Sequence, residues 1–403
     1  MFYGWWIVVA CLLAALIGNA LGLFGAGIYL LAVTATNGWP IALVSGAVTL
    51  LYVVSAVLLI PVGSGIRRHG PQLFIALGGV TMAGAVAGIG QASAPWQAYL
   101  AFFFMGIGWA CLSTTAVATT LAPWFEKHQG RAVSIASLGA SIGGMISAPL
   151  LLFAIQEIGF GPTTAIAGAL AIAVLLPLAI LVMRHRPQDL GLFPDGAALP
   201  VARAEAGAAQ WTRRTALATV RLRSVMATFG LAMMVQIGLV THQATFLSSA
   251  LSTPAVSATL SATAVAALLG RLALARFADQ IDSRTTASAV LLIASAAFMA
   301  LGLLPSPGLL VVGSIAFGLT VGNVTTLAPI IVRREFGAAS FGPVFGVASC
   351  GIQLAAAFGP GLFGMLRDTF GSYCVPLLMA AALDVVAAMI ILVGGRATRR
   401  PPA

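Results

Sequence analysis

A chain of 403 residues that is 60% hydrophobic and only 7% charged is not a soluble globular protein, in which about a quarter of residues carry charge. It reads as an all-α membrane protein that crosses the lipid bilayer many times. The net charge of +10 would suggest nucleic acid in a soluble chain, but here the cations stand in short loops between apolar runs. Topology accounts for them, and no nucleic-acid partner is expected.

Apolar runs long enough to span a bilayer fall at 5–31, 41–66, 72–91, 96–122, 131–155 and 162–184. After a polar gap they resume at 224–248, 256–279, 286–304, 308–332, 341–366 and 373–395. The expected architecture is twelve transmembrane helices in two pseudosymmetric six-helix bundles, 1–185 and 224–403, joined by a cytoplasmic linker, 186–223. A short surface helix is expected near Trp211. The opening run, MFYGWWIVVACLLAALIG, lacks the basic start of a cleaved signal and is read as the first span. Basic residues sort to one side: Arg67, Arg68, Lys127, Arg131, the linker, Arg276, Arg284, Arg333, Arg334 and the tail arginines. The alternate loops hold only Arg367. The basic side is cytoplasmic, so both termini are expected there, in a cell inner membrane. Cys11, Cys111, Cys350 and Cys374 are scattered without metal-like or disulfide-like spacing and read as packing residues; no metal or cofactor is expected.

The halves echo each other. Leu121-Ala122-Pro123 closes the fourth run and Leu327-Ala328-Pro329 recurs in the tenth, each followed by a short charged loop and a glycine-rich helix. Two such repeats place a binding site near the bilayer midplane, opened alternately to each side. Arg271 lies within the eighth run, where a charge costs roughly 2.5 to 3.5 kcal/mol by insertion scales and normally faces protein or water. Ala264 and Ala267 precede it on one face and leave space beside the guanidinium, a fork that matches a carboxylate at two points. The competing reading is an arginine that braces helix ends. His242, the histidine within a span, is a candidate proton carrier or substrate donor, against a role in packing. Asp384 in the twelfth run is a weaker coupling candidate. Asn19, Tyr29, Asn323 and Gln353 are polar at the depth of a central cavity; each is either a substrate hydrogen bond or helix–helix glue. The pair Gly139/Gly143 invites close helix packing.

At its loops the chain resembles the major facilitator superfamily. The family's G-x-x-x-D-R-x-G loop is recognisable as Gly63 through Arg67-Arg68-His69-Gly70, with Arg67 in the aspartate's place, while Asp279 keeps the acid in the second half. Tyr3-Gly4-Trp5, Gly38-Trp39-Pro40, Trp124-Phe125, Arg186-Pro187-Gln188-Asp189-Leu190-Gly191-Leu192 with Pro194-Asp195-Gly196, Thr241-His242 and Phe341-Gly342 resemble the monocarboxylate porters, which include the oxalate:formate antiporters. That resemblance implies the major facilitator fold and a carboxylate bound by the arginine of helix 8, here Arg271. Ala267 stands where proton-coupled members often have an acid, and helix 11 lacks the lysine of dicarboxylate carriers; one fixed cation favours a singly charged anion, with a zwitterion as the alternative. The resemblance also implies a cytoplasmic gate in which Asp279 meets the start of helix 5 at Arg131, while Arg67 faces the start of helix 11 near Arg333 and Arg334. The expectation is a non-enzymatic secondary transporter, acting as a monomer, of small organic anions with protons by symport. The alternatives are anion exchange, efflux of drugs or metabolites, or a receptor on the same fold.

Overall fold

The computed structural model describes residues 2–126, 128–185, 187–196, 211–277, 282–303 and 306–396. Among them every regular element is a helix and none is a strand. Twelve helices are long and apolar enough to cross a membrane. They are α1 (Gly4–Asn37), α2 (Ile41–His69), α3 (Pro71–Ile89), α4 (Pro95–Leu121), α5 (Gln129–Ile158) and α6 (Phe160–Val182). Then follow α7 (Val220–Leu247), α8 (Thr253–Phe277), α9 (Ser283–Leu303), α10 (Pro307–Phe336), α11 (Ser340–Phe370) and α12 (Cys374–Arg396). The chain divides into two compact units, Met1–Arg203 and Ala204–Ala403.

Within the first unit α1 lies along α5. Gly139 and Gly143 face the carbonyls of Leu12 and Leu16, so a Cβ at either position would strike backbone. In lipid, where apolar surface gains little by leaving the solvent, such close approach supplies the dispersion contacts that hold helices together. Two spans are irregular. α1 widens into a π-turn at Asn19–Phe24, where Asn19 Nδ2 donates to its own helix at Ala15 O (2.8 Å). α4 breaks at Ser113, whose hydroxyl accepts from the Ala116 N–H (3.3 Å) and donates to Ala110 O (2.8 Å). The hydroxyl thus meets groups that the interrupted helix leaves open.

Beyond α6 the chain folds back onto its own unit. The Asp195 carboxylate accepts from the backbone N–H groups of Glu126 (3.1 Å) and His128 (3.3 Å), and the Asp195 N–H donates to Trp124 O (2.9 Å). Asp195 takes a left-handed conformation (φ 60°) to make this clasp. Trp124 and Phe125 beneath it are buried against Phe2, Tyr3 and Trp5.

The second unit is built on equally tight seams. α8 and α10 meet at Gly270, Gly318 and Gly322, each set against backbone of the other helix. α7 and α11 meet where Gly359 faces Met234 O. α9 and α12 are tied by Ser295 Oγ donating to Ala381 O (2.9 Å). A helix at Arg213–Ala218, near the expected position, leads into α7.

The Leu-Ala-Pro repeats differ in structure. Pro123 lies beyond the end of α4, but Pro329 lies inside α10, which runs two further turns to Phe336. The charged loop expected after the second repeat is therefore helix. The reason is anchoring: Arg334 Nη1 donates to Ser283 Oγ (2.7 Å), and Glu335 pairs with Arg284 of α9 (2.6 Å).

Candidate substrate site

Arg271 stands on the α8–α10 seam. Its Cβ lies 3.1 Å from the place a Cβ on Gly322 would take, so α10 supports the base of the side chain only because residue 322 has none. At the far end Nη2 reaches Thr325 Oγ1 at 3.4 Å, a long and weak hydrogen bond. Nε is buried with no hydrogen-bond partner. The side chain as a whole is half-buried. Ala264 is buried, whereas Ala267 is half-buried and Gly322 covers its carbonyl. Small residues here let α10 approach and seat the arginine against it.

A second buried arginine supplies the contrast. Arg284, 7% exposed, donates from Nε and Nη2 to the two oxygens of Glu335 (2.6 and 3.0 Å). Nη1 reaches Ser224 Oγ (3.0 Å) and Ile391 O (2.8 Å), and Nη2 also reaches Arg221 O (3.2 Å). Four helices, α7, α9, α10 and α12, are joined at one guanidinium. Gly394 and Gly395 make room for it, since a Cβ on either would press on the Arg284 side chain. The sequence reading placed Arg284 only among the loop cations. The signal it passed over was the Gly-Gly pair in an otherwise bulky apolar run, together with one acid, Glu335, near the end of another.

The remaining predicted residues are dispersed. Asn323 Nδ2 donates to Leu319 O of its own helix (3.1 Å). Standing two residues before Thr325, about 200° round the helix, it does not share a face with the Arg271 contact. Asn19 is likewise bonded within α1, whereas the Tyr29 hydroxyl is buried without a partner and Gln353 is half-buried. His242 is fully buried and held on both ring nitrogens, Nε2 by Pro360 O and Nδ1 by Tyr373 Oη, each at 3.0 Å. Pro360 O can only accept, so Nε2 carries the hydrogen and Nδ1 of the neutral ring accepts from Tyr373. Burial pushes the Tyr373 phenol well above its ordinary range, so it remains a donor. Asp384 is 2% exposed on α12, and its Oδ1 makes no hydrogen bond.

Of the gating residues, Asp279 lies outside the described residues. Arg131 lies 5.7 Å above the Trp5 ring, a cation–π contact within its own unit. Arg67 is exposed and donates to Ser64 Oγ (3.2 Å). Glu335, the acid that follows Arg333 and Arg334 in the chain, is engaged by Arg284. Among the described residues no group of three or more His, Cys, Asp or Glu is placed to hold a metal.

The sequence profile of the Major Facilitator Superfamily matches residues 10–328. The MFS-type transporter eupM of Phoma sp is 32% identical over 139 residues, 32% of this chain and 48% of that one, so the match spans about half of that relative. An uncharacterized 38 kDa protein in the 23S RNA operon of Thermoproteus tenax is 29% identical over 401 residues, 97% of this chain and 91% of its own. The crystal structure of the nucleoside transporter NupG superposes with a TM-score of 0.75 at 14% identity, covering 98% of this chain and all of that one, which is a likeness of fold. The profile match takes in ten of the twelve spans in whole or part, and the two six-helix units continue it to the end of α12. The chain belongs to the Major Facilitator Superfamily and is a multi-pass membrane protein.

Proposed function

We propose that the protein carries small organic anions, monocarboxylates, across the cell inner membrane with both termini in the cytoplasm, and that Arg271 holds the carboxylate. The observation that carries this reading is the contrast between half-buried Arg271 and buried Arg284. Arg284 has a carboxylate and three further oxygens around it, as a bracing residue should. Arg271 has one long contact to a threonine, an unpaired Nε and no acidic partner among the described residues. A guanidinium left this incompletely satisfied inside an apolar span favours an anion that supplies what the protein does not. A single cation suits a single negative charge. Tyr29 and Gln353 are the proposed additional hydrogen-bonding groups, and the protein works as a monomer.

Proton symport is the proposed coupling. His242 and Asp384 are the titratable groups proposed for it, but the two engaged nitrogens of His242 favour the substrate's own carboxyl as the proton carrier. The same engagement supports a second reading, anion exchange, which needs no protein group to titrate. Uptake into proteoliposomes over a panel of organic acids tests both. Arg271→Ala should abolish carboxylate uptake, and Arg271→Lys should lose most of it because the planar fork is gone. Wild-type transport by Arg271→Ala would remove the arginine from the mechanism. Collapse of uptake with a protonophore supports symport, whereas uptake driven only by internal anion supports exchange.

A further inference from the structure

The entry to α7 carries a charged ledge that substrate binding does not use. The helix Arg213–Ala218 is pinned to its own unit: Trp211 packs edge-on against Phe336 at 5.3 Å between ring centroids, the Trp211 N–H donates to Ser340 Oγ (3.1 Å), and Ala216 is fully buried. Thr212 caps its start by accepting from the Thr215 N–H (3.2 Å). The outer side of this ordered ledge is basic. Arg213 and Arg214 are exposed and have no ion-pair partner among the described residues. Arg223, also exposed, uses Nε to hold Leu217 O (2.7 Å), which fixes its stem and leaves its two terminal amino groups free. No acidic residue occurs between Glu205 and Asp279, and Glu335, next to the Phe336 against which Trp211 packs, is engaged by Arg284. Beside these cations Val220, the first residue of the span, is 56% exposed. Three exposed arginines within seven residues of an exposed apolar residue, at the level where a helix enters the hydrocarbon, match the two ends of an anionic lipid: phosphate for the guanidinium forks, acyl chain for the valine.

We propose that the ledge at 211–223 binds the phosphate headgroup of an anionic phospholipid in the leaflet that α7 enters. The site is independent of the substrate reading, because it shares no residue with Arg271. The test titrates phosphatidylglycerol into phosphatidylcholine micelles holding the purified full chain and follows its melting temperature. A rise that saturates at a low mole fraction of phosphatidylglycerol is expected for the wild type. Each arginine is worth about a fivefold preference, so the double variant Arg213→Gln/Arg214→Gln should need about 25-fold more anionic lipid. That variant leaves the Arg223–Leu217 contact intact and should melt like wild type in phosphatidylcholine alone. An unchanged titration in the double variant would overturn the proposal. So would an equal rise with inorganic phosphate at matched concentration, which would make this a free-anion site.

Discussion

At the scale of single residues, two arginines of the second unit differ in how far the protein satisfies them. Arg284 is a structural joint, and the Gly394–Gly395 notch shows how fully the fold is shaped to it. Glu335→Ala should leave a buried guanidinium half-paired and lower stability by about 3 kcal/mol, read as a fall in melting temperature without substrate. Arg271→Ala should instead leave the melting temperature nearly unchanged and remove the further rise that a bound carboxylate gives, since a ligand stabilises only the state it binds. If the two variants melt alike, the contrast between the arginines fails. Arg271 was visible in the sequence because charge in an apolar run is conspicuous. Arg284 was hidden because its four partners come from residues 221 to 391 and no local pattern joins them.

At the scale of elements, the spans could be read from hydropathy, but their ends and breaks could not. The π-turn of α1 and the Ser113 break of α4 follow from side chains meeting backbone groups of their own helix, which a hydropathy window averages away. The α8–α10 seam was missed for a related reason: alanines and glycines are silent in hydropathy but decide how near two helices come. Gly322→Ala should push α10 from α8, cost roughly 1–3 kcal/mol and weaken carboxylate affinity more than maximal rate, because Arg271 shares the contact. An unchanged half-saturation concentration in that variant would mean the seam does not position the arginine. The start of α9 allows a test by pH. Asp282 accepts from the Thr285 N–H (2.7 Å), and these cap bonds hold its carboxyl below the usual range. A depressed carboxyl stabilises above its unfolded value and loses that contribution as pH falls through the folded one, so the cap should fail only in acid. Asp282→Ala should cost about 1 kcal/mol at neutral pH and nothing further at low pH.

At the scale of the whole molecule, the twelve spans and their family could be read from hydropathy and loop motifs together. The distribution of the linker could not. Its first part, 187–196, belongs by contact to the unit of α1–α6, and its last part, 211–218, to the unit of α7–α12. Sequence showed a motif at 186–196 and a short helix near Trp211 but not which unit each joins, since the Asp195 clasp depends on one left-handed residue reaching backbone about 70 positions earlier. Asp195→Ala should expose the segment to limited proteolysis near Pro194 while leaving the spans folded. Resistance equal to wild type would show that the aromatic contacts alone hold it. Transport as a whole is tested by pH: if a proton accompanies the anion, uptake should rise as external pH falls, and His242→Gln should keep that dependence when the substrate carries the proton.

Pro329 has a consequence for the same machinery. A proline has no amide hydrogen, so nothing at position 329 can meet the carbonyl four residues earlier, and that carbonyl belongs to Thr325. The residue whose hydroxyl touches Arg271 is thus also the one whose backbone oxygen has lost its intrahelical partner. The turn from 325 to 329 therefore lacks a backbone hydrogen bond that the rest of a regular helix would have, and it lies directly beside Arg271, the proposed carboxylate anchor. Any bending of α10 during transport would concentrate there, changing the Thr325–Arg271 distance first. Under the proposed function, grip on the anion and curvature of the helix are therefore one coordinate.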